Sequence, residues 1–189
     1  NIRFLGFRGE ALPSIASVSR FLIRTREQGG AGYEIEVEDG SKGEPRPAAI
    51  KEGTTIEVRD LFYLTPARLK FLKTTATEYG AVKDVLSRLA MSHPQIAFRF
   101  SHNGAQIFHY PVLADDLLEQ GRQRMRDVMG PEFMANSLPI LAERGNLTLR
   151  GWTSRATYNV GTGQDQFIFV NGRSVKDRVL LGAIRGAYR

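Results

Sequence analysis

The sequence contains no cysteine. Disulfide staples, thiolate metal ligands and thiol nucleophiles are thereby excluded, and the composition fits an intracellular protein. No apolar run approaches the roughly 18 residues that a bilayer-spanning helix requires. Histidine is scarce, and His93, His102 and His109 have no carboxylate neighbours at metal-ligand spacing. The sequence therefore nominates no metal-binding and no catalytic residue of its own. Internal repeats and low-complexity tracts are lacking as well. What remains is an ordinary globular composition, 42% hydrophobic and 24% charged over 189 residues, enough for one large domain or two small ones.

The formal net charge is +6. A basic balance suits a nucleic acid, an anionic surface or no special partner, and its distribution is more informative than its size. Over residues 171–189, Arg173, Lys176, Arg178, Arg185 and Arg189 face Asp177 alone.

Residues 20–26 read as a strand, followed by a glycine-rich turn at 28–32. Tyr33, Ile35 and Val37 alternate with Glu34, Glu36 and Glu38, which predicts a strand with one wet face. Ile56 and Val58 alternate with Glu57 and Arg59 in a further strand. From Thr77 the spacing predicts a helix with Tyr79, Val82, Val85, Leu86 and Leu89 on one side, stopped by His93-Pro94. A strand over 96–100 and one over 106–110 flank an Asn103-Gly104 hairpin turn. Farther on, a helix from Leu117 ends at Gly130-Pro131, two strands follow around 147–152 and 166–170, and a helix closes residues 177–189. The pattern is α+β, with the first unit ending near residue 112 and the second running over 113–189.

Four stretches could carry chemistry. Gly6-Phe7-Arg8-Gly9-Glu10-Ala11-Leu12 brackets an aromatic and an arginine between glycines and then enters a helix. It reads either as a plain turn before a packed helix or as a phosphate cradle made of backbone N–H groups. Gly53-Thr54, opening a strand, is either a simple turn or a place where bare backbone and a hydroxyl meet a ligand. Thr65-Pro66 can start a short helix that exposes Arg68 and Lys73, either as a solvated face or as a phosphate-contacting one. Asn171-Gly172 projects Arg173 from a turn, and Arg178 and Arg185 share one side of the last helix. That basic face suits the backbone of DNA.

Taken together, residues 5–20 (LGFRGEALPSIASVSR), 53–73 (GTTIEVRDLFYLTPARLKFLK) and 169–178 (FVNGRSVKDR) resemble the N-terminal region of the MutL family of DNA mismatch-repair proteins, within the GHKL ATPases. The resemblance runs through essentially the whole chain. It implies part of a GHKL (Bergerat-type) α/β sandwich with a mixed, mostly antiparallel sheet, followed by part of a ribosomal-protein-S5-like domain. By that match Gly6–Leu12 lies at the hinge of the ATP lid and contacts phosphate, and Gly53 and Thr54 form a motif near the adenine. Arg173 matches a DNA-binding arginine, and Arg68 and Lys73 lie in the family's basic helix.

The resemblance also implies ATP and Mg²⁺ as cofactors. As partners it implies DNA, a MutS-type mismatch-recognition protein, a second copy of the chain, and a strand-incision endonuclease and helicase, with no membrane. It places the work in the bacterial cytoplasm, at the nucleoid. Departures from the family pattern matter as much. The family's water-activating Glu, its Mg²⁺-binding Asn and its adenine-reading loop would fall before Asn1, and its γ-phosphate lysine beyond Arg189. Glu10 lies in the phosphate loop, where its carboxylate is expected to fix loop geometry, not to act as a base. The expectation is that this chain by itself does not hydrolyse ATP; the other reading is a DNA-binding or interaction module without nucleotide turnover.

Overall fold

The computed structural model describes residues 9–113, 115–158 and 166–188. The chain divides into two compact units, Asn1–Glu78 and Tyr79–Arg189.

In the first unit, helix α1 (Ala11–Ala16) runs into β1 (Arg20–Arg26), and β2 (Gly32–Glu38), β3 (Ser41–Lys42), β4 (Arg46–Pro47), β5 (Gly53–Arg59) and the short α2 (Pro66–Leu69) follow. The strands form one antiparallel sheet in the order β3-β2-β1-β5, with β4 also on β2. Asp39 and Gly40, both at positive φ, make the two-residue turn between β2 and β3. That pair of dihedrals matches the right-handed twist of the strands it joins.

Because side chains alternate along a strand, the register sorts the sheet into two unlike faces. One carries the rows Val37–Phe21–Val58, Ile35–Ile23–Ile56 and Tyr33–Thr25–Thr54. Helix α1 lies against β1, and Ala16, Ser19 and Phe21 are buried there. The opposite face is ionic. Arg24 donates to Glu34 (3.0 Å) and Glu57 (2.8 Å), Arg46 to Glu34 (2.6 Å) and Glu36 (3.2 Å), and Arg59 to Glu57 (2.6 Å). Arg20 extends the lattice to Glu38 (2.9 Å) and Asp60 (2.8 Å). Glutamates alternating along β2 thus find arginines supplied by the neighbouring strands.

The second unit contains most of α3 (Thr75–Ser92), then β6 (Phe98–His102), β7 (Ala105–Tyr110), α4 (Leu117–Ala135), β8 (Ser137–Arg144), β9 (Leu147–Ser154), β10 (Phe169–Val170), β11 (Arg173–Ser174) and α5 (Arg178–Ala187). Its strands pair as three separate antiparallel hairpins. The core is Ala90, Phe108 and Tyr110, with Leu86, Phe98, Phe100, Ile107 and Val128 packed around them. At its centre Arg124 is only 1% exposed. Its guanidinium donates to the backbone oxygens of Ala90 (2.7 Å), Ile96 (2.8 Å), His93 (3.4 Å), Pro94 (3.4 Å) and Tyr110 (3.5 Å). It also lies over the rings of Phe98 and Tyr110. A cation at the C-terminal end of α3 satisfies carbonyls that the helix leaves unpaired and complements its dipole.

Three expectations need correction. On α3 Leu86 packs on the core and Tyr79 stacks on Phe100 as expected, but Val82 and Val85 are exposed and Ser87, Arg88 and Ala90 are buried. The difference follows from Asp84 and Arg88, which turn inward to partners far along the chain. Gly130-Pro131 breaks α4 without ending it: Gly130 adopts φ 86° and ψ 162°, and a short helical stretch resumes at Pro131. Proline is preorganised for exactly that first position. Strand β8 was not expected, because Pro139 interrupts its apolar pattern; it pairs with Trp152 on an edge strand, where a missing N–H is tolerated. The strand expected over 166–170 is confined to Phe169–Val170. Within the second unit Arg124 ties α4 to α3 and to the β6–β7 hairpin.

Candidate functional site

The glycine loop enters the structure at Gly9; Gly6, Phe7 and Arg8 lie outside the described residues. Gly9 sits at φ +66°, where an L side chain is strained, and open space lies where its Cβ would be. Glu10 occupies the position before α1, and its carbonyl accepts from Ser14 N at 3.0 Å. Its carboxylate makes no capping bond to α1, so the expected role in fixing the loop is not played through the helix. Ala11 and Leu12 form the first turn, where backbone N–H groups have no partner inside the helix and Pro13 has none to offer. No acidic side chain occupies that turn.

Gly53 opens β5 at φ +119°, again with open space at the Cβ position. It is in register with Arg26, at the far end of β1 from α1. The Thr54 hydroxyl is engaged with that of Thr25 at 2.8 Å, and Thr25 Oγ1 also donates to Gly53 O at 3.4 Å. The two glycine elements thus share β1: one enters it through α1 and the other pairs with its last residues.

Of the basic candidates, Arg68 lies in the last turn of α2 and is exposed. Lys73 is exposed, and its backbone N–H donates to Glu78 Oε1 at 2.8 Å. Both belong to the first unit. Arg173, Arg178 and Arg185 belong to the second. Asn171 (φ 49°) and Gly172 (φ 79°) form the tight turn, and Arg173 follows it, half-buried, opposite Val170. Asp177 caps α5 by accepting from Val179 N and Leu180 N, both at 2.9 Å. Arg178 and Arg185, two turns apart, are exposed on one side of that helix. The far end of α5 is fastened to β9, where the Tyr188 hydroxyl donates to Ser154 O (2.8 Å) and meets the Thr153 hydroxyl.

Sequence reasoning missed the cluster beneath the Arg173 hairpin. Asp84 on α3 pairs with Arg88 and with Lys176, 92 residues away. The Arg88 hydrogen bond, aided by Lys176 and opposed by partial burial, holds the Asp84 carboxyl below the usual carboxylate range. The Asp84/Arg88 spacing is a helical i,i+4 pair and could have been noticed; the partner at Lys176 could not.

At Gly9–Leu12 the described residues bring together a glycine with open space at its Cβ position and first-turn N–H groups that have no partner inside the helix. Among them no group of three or more His, Cys, Asp or Glu could hold a metal ion. No helix of the described residues is long and apolar enough to cross a membrane.

Comparison with known proteins gives a consistent picture. Residues 125–189 match the family model described as DNA mismatch repair protein, C-terminal domain. The chain is 50% identical, over its whole length, to the DNA mismatch repair protein MutL of Paramagnetospirillum magneticum and 47% identical to that of Rhodospirillum rubrum. It spans 31% and 30% of the length of these two curated relatives. Among solved structures it is similar to the Aquifex aeolicus MutL ATPase domain complexed with ADP, with a TM-score of 0.78 and 32% identity, covering 94% of this chain and 67% of that one. The N-terminal domain of a DNA repair protein has the same fold, with a TM-score of 0.78 at 23% identity.

Proposed function

The chain belongs to the MutL family of DNA mismatch-repair proteins, and from that premise we propose that it supplies the phosphate-contacting lid hinge of an ATP site together with a DNA-binding surface. The protein it serves couples ATP binding and hydrolysis to dimerisation, DNA binding and signalling from a MutS-type recognition protein to strand incision by an endonuclease and a helicase. One observation carries the reading. The Gly9–Leu12 and Gly53-Thr54 elements, 44 residues apart by number, are joined through a single strand, β1, and both present bare backbone at positive φ.

Gly6–Leu12 would hold the phosphates through backbone N–H groups and Arg8, and Gly53 and Thr54 would line the adenine side. ATP, when bound, supplies the phosphoryl group and the binding energy that orders a lid. Among the described residues no group of three or more His, Cys, Asp or Glu is gathered, and no role in holding Mg²⁺ is assigned to this chain. Glu10, exposed and with no side-chain bond to the helix it precedes, is not assigned as a base.

Arg68, Lys73, Arg173, Arg178 and Arg185 are assigned to the DNA backbone. A second reading, favoured by the exposed pair Arg178 and Arg185 beside the Arg173 turn, is that the chain alone binds DNA without turning nucleotide over. The test is twofold. Equilibrium binding of labelled ADP should be lost in Gly9→Val, because a branched side chain at φ +66° deforms the cradle. Unchanged affinity in that variant removes Gly9 from the site. A steady-state assay on the purified chain should give no ATP turnover, and appreciable turnover overturns the division of labour proposed above.

A further inference from the structure

The hairpin that carries Arg173 is too short to hold itself. Strands β10 and β11 contribute two residues each, paired as Phe169↔Ser174 and Val170↔Arg173. An isolated hairpin is marginal even at greater length. Arg173 needs an anchored hairpin if it is to meet a phosphate at a defined place.

The anchor comes from α3. Arg88 Nε donates to both carboxylate oxygens of Asp84, at 3.0 and 3.1 Å. Arg88 Nη1 reaches the backbone oxygen of Gln166 at 3.1 Å, and the guanidinium lies 4.9 Å from the centre of the Phe167 ring. That fixes the leg entering the hairpin. On the leg leaving it, Lys176 Nζ donates to Asp84 Oδ2 at 2.8 Å. Between them Val175 N donates to Ile168 O at 2.9 Å. Both legs therefore end on one ion pair. Arg88 is buried, and Asp84 is partly so. Partial burial makes the pair more than a surface contact, whose net worth is small.

We propose that Asp84 and Arg88 are positioning residues for the Arg173 hairpin, holding both of its legs so that Arg173 is presented to the DNA backbone. This rests on the reading of Arg173 as a DNA contact. The two claims separate experimentally because electrostatics and positioning predict opposite signs. Asp84→Asn adds one positive unit to a chain of formal charge +6. Charge alone would tighten DNA binding. Loss of the anchor weakens it.

The experiment uses the 189-residue chain, a short labelled duplex at low salt, and hydrogen exchange over residues 169–174. Asp84→Asn should weaken binding about fivefold, within the range by which members of one ion-pair network couple. In an Arg173→Ala background the same substitution should cost nothing further. Exchange in the hairpin should accelerate while the amides of β6 and β7 stay protected. Equal losses in both backgrounds, or binding as tight as the parent with an unchanged hairpin, overturn the proposal. If Arg173→Ala alone leaves DNA affinity intact, the DNA reading of Arg173 fails; the exchange measurement then decides the anchor by itself, and an undisturbed hairpin rejects it. Should Asp84→Asn unfold the second unit, Lys176→Met leaves the Arg88–Asp84 pair in place and frees one leg; faster exchange over 173–174 supports the anchor, and unchanged exchange rejects it.

Discussion

The sheet of the first unit and the core of the second use arginine in opposite ways. In the first, Arg20, Arg24, Arg46 and Arg59 lie on the wet face of a sheet and pair with glutamates and Asp60. In the second, Arg124 is sealed in the core with no carboxylate at hydrogen-bonding distance, and five backbone carbonyls take its place. Burial pulls its guanidinium below the ordinary value, yet an arginine remains charged in proteins. The lattice is redundant, since each glutamate has water as an alternative. The buried cation has none, and its contacts with the Ala90 and Tyr110 oxygens are buried with it. Number of ion pairs is therefore a poor guide to where this chain is vulnerable.

The largest effect should come from Arg124→Met. It keeps much of the volume but strips the end of α3, and should cost about 3 kcal/mol through buried carbonyls left unpaired. Urea denaturation, with hydrogen exchange in β6 and β7 as the local probe, measures it. A loss comparable to a surface substitution would break the contrast between the units. Next comes Gly53→Ala. The sheet of the first unit is more exposed to error in its backbone than in its charges, and a side chain at φ +119° should cost about 1–2 kcal/mol. A neutral outcome in a thermal melt would show that β5 can re-enter the sheet by another path.

Acid should touch both units, by a route that the directions of the shifts define. Arg46 first, then Arg24, hold the Glu34 carboxyl below its ordinary value, as Arg88 does for Asp84. A carboxylate with a lower pKa in the folded state adds stability above its unfolded pKa, and the contribution disappears as pH falls through the folded value. Stability should therefore decline below about pH 4, where unperturbed carboxylates titrate. Asp127 acts in the other sense: burial raises its pKa, so acid relieves a penalty there. Hydrogen exchange followed against pH should accordingly show the β1–β2 region loosening more plainly than the α4 core. The smallest effect is expected for Arg24→Gln, which opens one node of an exposed lattice. Its change in melting temperature should be slight and should shrink further as salt is added.

Much of the fold is legible in the sequence. Alternation announced β2 and β5, the stretch 20–26 read as β1, Asn103-Gly104 announced its hairpin, and Asp177 announced the start of α5. Local pattern could not deliver what depends on distant partners. Arg124 reads as an ordinary solvent-facing residue of an amphipathic helix, because the carbonyls it serves lie 14 to 34 residues away. The burial of Arg88 on α3 was illegible for the same reason: Asp84 and Arg88 answer to residues 166–176. At the candidate site, motif order nominated Gly6–Leu12, Gly53-Thr54 and the Arg173 turn, since glycine and Asn-Gly requirements are encoded locally. The support beneath Arg173 was invisible, being a pairing across 92 residues.

The central claim is that this chain meets DNA through its basic residues with Arg173 among them. The most direct measurement is the affinity of the purified chain for duplex DNA across a salt series, repeated with Arg173→Glu. With DNA held on these residues, log K falls linearly with log salt by about 0.9 for each phosphate neutralised, with a weaker intercept and a shallower slope in the variant. Affinity that ignores salt, or a variant indistinguishable from the parent at every salt concentration, would contradict it.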